Sequence, residues 1–144
     1  MAQIGSRQNY LAIIVAGVAC FLVEAVWFSF FLDVWLKGIG HDRLWLERTG
    51  LNPMLQWVVA VLAEALIAGV ISAFTQMTGK QTAVRGMRVG FALWAGVVIP
   101  ISAVGDIFAA RSYASFAVND GFWLIGMVLM GAIVGAWRMK YSGQ

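Results

Sequence analysis

The sequence predicts an all-α membrane protein, a bundle of four transmembrane helices with an interfacial first loop. Of its 144 residues, 61% are hydrophobic and 12% are charged, whereas a soluble domain usually has about 45–50% apolar and about 25% charged residues. The apolar residues form four runs, and each reaches the roughly 20 residues that a helix needs to cross a bilayer. These runs are residues 10–32, 53–76, 87–106 and 118–137. They fill most of the chain, so residues 1–144 are predicted to form one membrane domain.

The first run and the loop after it differ sharply in polarity. Residues 10–32 are too long for the apolar core of a cleaved signal peptide, so we interpret them as the first span. Residues 33–52 mix tryptophan and leucine with charged residues, a composition typical of the lipid headgroup region. We therefore predict an interfacial loop with one or two short amphipathic turns.

Two prolines mark features of the second and third spans. Asn52 and Pro53 predict the start of the second span, because asparagine caps helices and proline loses no hydrogen bond at the first helical position. Pro100 lies inside the third span, where it should kink the helix and free the carbonyl group near Gly96.

Glycines spaced four apart occur in two of the spans. Gly86 and Gly90 open the third span, and Gly131 and Gly135 lie in the fourth. This spacing places the glycines of each pair on one face, where two backbones can approach closely. We expect these faces to pack within the monomer, with a dimer interface as the alternative.

Two glutamates interrupt the apolar runs, Glu24 in the first span and Glu64 in the second. Steps of four along each helix place both acids in stripes of small side chains, which suit helix contact and face away from lipid. The two lie within roughly 3 Å of one another in depth, so they can meet. Two carboxylates at one low-dielectric site do not both ionise readily, and a shared proton or a bound cation would compensate.

Hydroxyl and indole groups on the spans are further candidates, because they can donate hydrogen bonds to the two glutamates. The candidate donors are Trp27, Trp94, Ser102 and Trp123. Intramembrane ionisable residues usually mark a functional site, which favours a site for a proton or cation. In the alternative interpretation, each glutamate stays protonated and joins neighbouring helices by hydrogen bonds.

A second polar set is predicted where the third span ends and the fourth begins. Its members are Asp33, Asp106, Arg111, Asn119 and Asp120. Arg111 is expected to form a structural ion pair with the flanking acids Asp106 and Asp120. A vestibule for a cation is the alternative.

The net charge of +3 does not indicate nucleic-acid binding, because lysine and arginine lie between the runs or at the chain ends. Six of these residues lie in the N-terminal segment, the second loop and the C-terminal segment, and four lie on the opposite side. This asymmetry places both termini in the cytoplasm.

The sequence contains no motif of an enzyme, a metal site or a cofactor site. One cysteine and one histidine exclude an intramolecular disulfide and the usual zinc ligand sets. The expected partners are the lipid bilayer and, through self-association or an accessory role, a second copy or another membrane protein.

Four stretches resemble a bacterial family of small four-span membrane proteins, domain of unknown function 1761. They are NYLAIIVAGVA (9–19), AVWFS (25–29), GFALWAGVV (90–98) and MGAIVGAW (130–137). The resemblance covers roughly residues 9–137. It implies four spans in the inner membrane of a bacterium and supplies no activity.

The chain departs from the pattern of this family at positions that matter for the site. Glu24 stands where the family has glycine, and Phe30 where it usually has proline. Phe122 and Trp123 replace a common Tyr-His pair. The resemblance therefore gives Glu24 no role.

A fainter similarity links LWAGVVIPIS (93–102) to the third helix of small multidrug transporters. Together these observations predict a membrane protein that binds or transports a proton, a cation or a small cationic amphiphile at its intramembrane glutamates. The alternative is a structural or accessory subunit that packs against itself or another membrane protein.

Overall fold

The structure is a computed structural model and describes residues 8–137 of the chain. It confirms the all-helical fold, since no strand occurs in that range. The helices are α1 (Tyr10–Gly38), α2 (Arg43–Arg48), α3 (Pro53–Met77), α4 (Ala83–Leu93), α5 (Ile99–Phe108) and α6 (Tyr113–Ala136). One π-helical turn, Trp94–Val98, joins α4 and α5 into a single span. Four helical spans of the described range are therefore long and apolar enough to cross a membrane.

Polar residues, rather than the limits of the apolar runs, set where the spans begin. Asn52 accepts a hydrogen bond from the Met54 amide at 2.9 Å with Pro53 at the first helical position, which confirms the predicted start of α3. The third span begins at residue 83 rather than 87, because Thr82 accepts a hydrogen bond from the Arg85 amide at 3.2 Å.

Two further boundaries differ from those predicted. Ser112 accepts a hydrogen bond from the Ser115 amide at 3.2 Å, so the fourth span begins at residue 113 rather than 118. The first helix continues to Gly38, beyond the predicted end at residue 32. Asp33 and Lys37 are exposed on this extension and do not interrupt the helix. The predicted interfacial loop contains the short helix α2, and no residue of α2 is buried.

The bundle has two ends, which we name by the chain segments that they contain. The terminus end contains the start of α1, the connection 78–82 and the end of α6, and there the Asn9 amide donates to the Trp137 carbonyl at 3.3 Å. The loop end contains the connections 39–52 and 109–112. The charges at residues 7, 138 and 140 that were counted for orientation lie outside the described residues.

The terminus half is closely packed. The core cluster joins α1, α3 and α6, and its buried members are Ala16, Cys20, Ala68, Ile71, Phe122, Met127, Met130 and Val134. A Cβ atom built on Gly17 would lie 2.9 Å from the Ala65 Cα, so the backbones of α1 and α3 touch.

The same half of the molecule contains the contact between the two glycine pairs. A Cβ atom on Gly86 would overlap the Gly131 carbonyl group, and one on Gly131 would overlap the Gly86 carbonyl group. Gly135 packs in the same way against Thr82. The prediction that these glycine faces pack within the monomer is confirmed.

The loop half is more open. Residues 53–59 of α3 are all exposed, and α5 has no buried residue. The π turn lies directly before Pro100, as expected where proline removes an amide donor from the helix. The α1 and α6 helices remain in contact at this end, where Gly38 packs against Ser112 and Ser115.

Candidate functional site

Glu64 occupies the point at which α3 joins the packed half of the bundle. Moving along α3 from the loop end, it is the first buried residue, and its side chain is 1% exposed. Both of its carboxylate oxygens lack a hydrogen-bond partner among residues 8–137. A buried carboxylate of this kind is costly unless a proton or a cation compensates it.

The neighbours of Glu64 come from α1. The Cys20 thiol, whose S–H is a weak hydrogen-bond donor, lies beside the Glu64 carboxylate, and the Glu24 carboxylate acts on it electrostatically. Cys20 also reaches α6, because a Cβ atom on Gly126 would lie 2.7 Å from its sulfur. The site therefore lies where α1, α3 and α6 meet, and the small residues on α1 bring the acids to this junction.

The two glutamates are not equivalent. Glu64 is sealed inside the bundle, whereas Glu24 is half-buried one turn further toward the loop end of α1. Cys20, which the sequence analysis did not name as a candidate, is a further residue of this site. Its four-residue spacing from Glu24 was the signal that it would share the site.

Two of the three indole groups that were candidate donors to the glutamates donate to the backbone of α6 instead. Trp27 Nε1 donates to the Val118 carbonyl at 3.0 Å, and Trp94 Nε1 donates to the Asp120 carbonyl at 2.9 Å. The indole N–H groups of Trp27 and Trp94 are thus hydrogen-bonded to backbone carbonyl oxygens of α6. The Trp123 ring packs against Phe122 with centroids 5.0 Å apart. The fourth candidate, Ser102, lies beside Asp120 on the other side of α6.

Asp120 is the second buried carboxylate. Its side chain is 2% exposed, and both oxygens lack a hydrogen-bond partner within the described range. Ser102 and Asn119 are the neutral polar groups beside it, and the Asp106 carboxylate acts on it electrostatically. The sequence analysis placed Asp120 in a surface set around Arg111, whereas the structure buries it between α5 and α6.

Three other members of the predicted polar set, Asp33, Asp106 and Arg111, take part in two ion pairs. Arg111 Nη1 lies 3.1 Å from Asp106 Oδ1, so Arg111 pairs with one of its two predicted acids. Asp33 instead pairs with Arg43 of α2, with Nε 2.7 Å from Oδ1. The hydrogen bond to Asp33 raises the pKa of the Arg43 guanidinium. Asp33 therefore does not lie with the other members of the polar set. The α1 helix continues past Asp33, and the chain folds back so that α2 lies beside it.

Neither buried carboxylate, Glu64 or Asp120, is bound by a lysine or arginine among residues 8–137. In the described part of the chain, no three histidine, cysteine or acidic residues are grouped as metal ligands. Buried carboxylates with hydroxyl and amide neighbours suit a proton or a small hard cation.

Four apolar spans and carboxylates buried between them define a multi-pass membrane protein. A family model described as protein of unknown function (DUF1761) matches residues 11–135, and the chain belongs to this family. The match confirms the resemblance found in the sequence. No curated protein and no solved structure matches the chain.

Proposed function

We propose that this protein binds a proton or a small cation at Glu64, with Glu24 as the exchange partner, and moves it across the membrane. One observation carries the proposal. Glu64 is 1% exposed and both of its carboxylate oxygens lack a hydrogen-bond partner in residues 8–137, while a second carboxylate acts on it. Glutamates that only join helices would have their oxygens used by donors on neighbouring helices.

The positions of the two acids suggest the direction of exchange. Glu64 lies at the boundary between the closely packed terminus half and the open loop half. Glu24 is half-buried and lies on the loop side of Cys20. A proton or cation from the loop end therefore meets Glu24 first and Glu64 second. A small cationic amphiphile would also enter from the loop end and reach Glu24 first.

We place the protein in the inner membrane of a bacterium with both termini in the cytoplasm. The support is the distribution of lysine and arginine, with six on the side of the termini and four on the opposite side. In this orientation the loop end faces outward. Reporter fusions at residues 79 and 144 should both show a cytoplasmic location, and a periplasmic signal from either would reverse the direction.

The proposal is tested by flux into liposomes of purified, reconstituted protein, with a pH-sensitive dye inside and an imposed pH or cation gradient. Wild type should exceed empty liposomes, and Glu64→Gln should remove the flux. Glu24→Gln should slow it, because Glu24 passes the ion on. Glu47→Gln is the matched control, since it makes the same change at an exposed residue of α2. Flux in Glu64→Gln equal to wild type, or none in wild type, would refute the proposal.

A second candidate function is that of a structural or accessory subunit, and a different observation favours it. Residues 53–59 of α3 are exposed around nearly two turns, whereas a helix facing lipid on one side would bury the other. A second copy or another membrane protein could cover the exposed surface of residues 53–59. Trp57→Cys in a Cys20→Ala background should cross-link in native membranes if so, and a chain that stays monomeric there would exclude this function.

A further inference from the structure

We infer that Asp120 is a second binding site for a small hard cation, either a proton or a sodium ion, entered through a cleft between α5 and α6. This site is separate from the glutamates of the proposed function. Those acids lie where α1, α3 and α6 meet, whereas Asp120 lies on the side of α6 that faces the third span.

The first support is the state of the Asp120 carboxylate. It is 2% exposed, and neither oxygen has a hydrogen-bond partner in the described residues. The backbone around it is fixed, because Trp94 donates to the Asp120 carbonyl and Trp27 donates to the Val118 carbonyl. The carboxylate is thus held in place without a lysine or arginine bound to it among residues 8–137, so a bound cation or proton would supply the missing positive charge.

The second support is the set of groups around it. The Ser102 hydroxyl and the Asn119 side-chain amide lie beside the Asp120 carboxylate, and the Asp106 carboxylate acts on it electrostatically. Each of these three groups has an oxygen that can coordinate a cation. An all-oxygen set selects hard cations. Two carboxylates are too few for the usual calcium coordination, so the charge that fits is that of a monovalent ion.

The third support is a route from the surface. A cavity of about 540 Å³ opens at the loop end of α5 and α6, and its lining includes Asp106, Arg111 and Phe116. Asp120 is not among the lining residues, and Asp106 is the residue that both lines the cavity and acts electrostatically on Asp120. Arg111 binds only one of the Asp106 oxygens at 3.1 Å. It therefore neutralises part of the charge that draws a cation inward.

This arrangement predicts opposite effects for two substitutions at the entrance. Asp106→Asn should weaken cation binding by about tenfold or more, because one charged ligand is lost. Arg111→Gln should strengthen it, because a competing positive charge is removed. If Asp106 and Arg111 formed only a structural ion pair, Asp106→Asn and Arg111→Gln would have effects in the same direction.

The experiment measures the thermal stability of the purified protein in detergent against sodium chloride, with choline chloride at equal ionic strength as the reference, at several pH values. A saturable sodium effect identifies a sodium site, and a sodium-independent pH effect identifies a proton site. Because Glu64 is itself proposed to bind a proton or cation, the Asp120 site is measured in the Glu64→Gln variant. The response that remains there should disappear when Asp120→Asn is added. Loss in Glu64→Gln alone would assign the response to the glutamate site and overturn this proposal.

Two further outcomes also decide the matter. The proposal fails if wild type responds to neither sodium nor pH, or if the response of Glu64→Gln stays complete when Asp120→Asn is added. Should Asp120→Asn not fold, the titrations of Asp106→Asn and Arg111→Gln decide in its place. Shifts of the midpoint in opposite directions support the site, and equal shifts or none refute it.

Discussion

The two halves of the third span pack against α6 in opposite ways. On the terminus side of the π turn, α4 buries Gly86 against Gly131 and Gly90 against the Met127 backbone of α6. On the loop side, none of the ten residues of α5 is buried. Apolarity does not explain this difference, because α4 carries two arginines and α5 carries none. Lipid is as apolar as a leucine side chain, so helices associate in a membrane where their surfaces fit closely.

The largest expected effect comes from breaking the close half. Gly131→Ala puts a methyl group into the Gly86 carbonyl, and two packed backbones would have to separate. We expect the free energy of unfolding to fall by about 2 kcal/mol or more. Reversible unfolding in mixed micelles measures this change.

The matched control is the same substitution in the open half. A Cβ atom on Gly105 would have no atom within 4 Å. Gly105→Ala should therefore change the free energy of unfolding by less than about 1 kcal/mol, with helix propensity favouring alanine. Equal losses at the two positions would mean that the glycine contact does not distinguish the halves.

The π turn is the next point at which the comparison can be tested. In Pro100→Ala, an amide returns that can bind the Gly96 carbonyl, which favours a regular helix through residues 94–98. A regular α-helix lacks the extra residue per turn of the π-helix. Conversion to a regular helix would therefore rotate α5 by about 100° relative to α4. Because Ser102 and Asp106 lie on α5, this rotation should carry them away from Asp120.

Distances between spin labels on Val104 and Ile125, both exposed, measure that rotation. We expect a change of several ångströms, since Val104 would travel around a helix of about 5 Å radius. The free energy of unfolding should change little, because α5 buries nothing. An unchanged distance would show that packing, and not proline, maintains the π turn.

The sequence predicted what depends on hydropathy and on residue spacing. Four apolar runs predicted the spans, and glycines four apart predicted the contact of α4 with α6. The stripes around Glu24 and Glu64 predicted that the two acids share the bundle interior. These features follow from one helix at a time, so periodicity reveals them.

The parts that sequence reasoning missed depend on how separate helices are arranged. Nothing in the order of residues indicated that Trp94 would bind the Asp120 carbonyl or that Asp120 would be buried. The extension of α1 to Gly38 brings Asp33 to Arg43, and hydropathy gives no sign of it because Asp33 and Lys37 interrupt the apolar run. Pairings of this kind are set by tertiary packing, which one sequence does not display.

The indole hydrogen bonds give a smaller effect that compares the two sides of α6. Trp94→Phe and Trp27→Phe each remove one hydrogen bond to a carbonyl of α6. Each should cost about 0.6 kcal/mol of the free energy of unfolding, the usual size of a polar contact between helices in a membrane. Trp57→Phe is the control, since that side chain is 57% exposed.

The two substitutions should differ in their effect on the loop end. The α1 helix also contacts α6 at Gly38, whereas α5 has no buried residue to hold it. Trp94→Phe should therefore widen the separation of the spin labels on Val104 and Ile125, and Trp27→Phe should leave it unchanged. Widening in both variants would mean that the loop half moves as one unit.

The smallest expected effect is at the exposed ion pair of the loop end. The side chains of Arg43 and Asp33 are 63% and 57% exposed, so water and salt screen their attraction. Arg43→Gln should change the free energy of unfolding by less than any substitution above, because an exposed ion pair contributes little. Arg111→Gln should cost more, because its partner Asp106 is only 14% exposed and lies beside a second buried acid. If both substitutions cost the same at low and high salt, then the burial of Asp106 does not affect the pair, and the loop end contains one solvated surface instead of an entrance to Asp120.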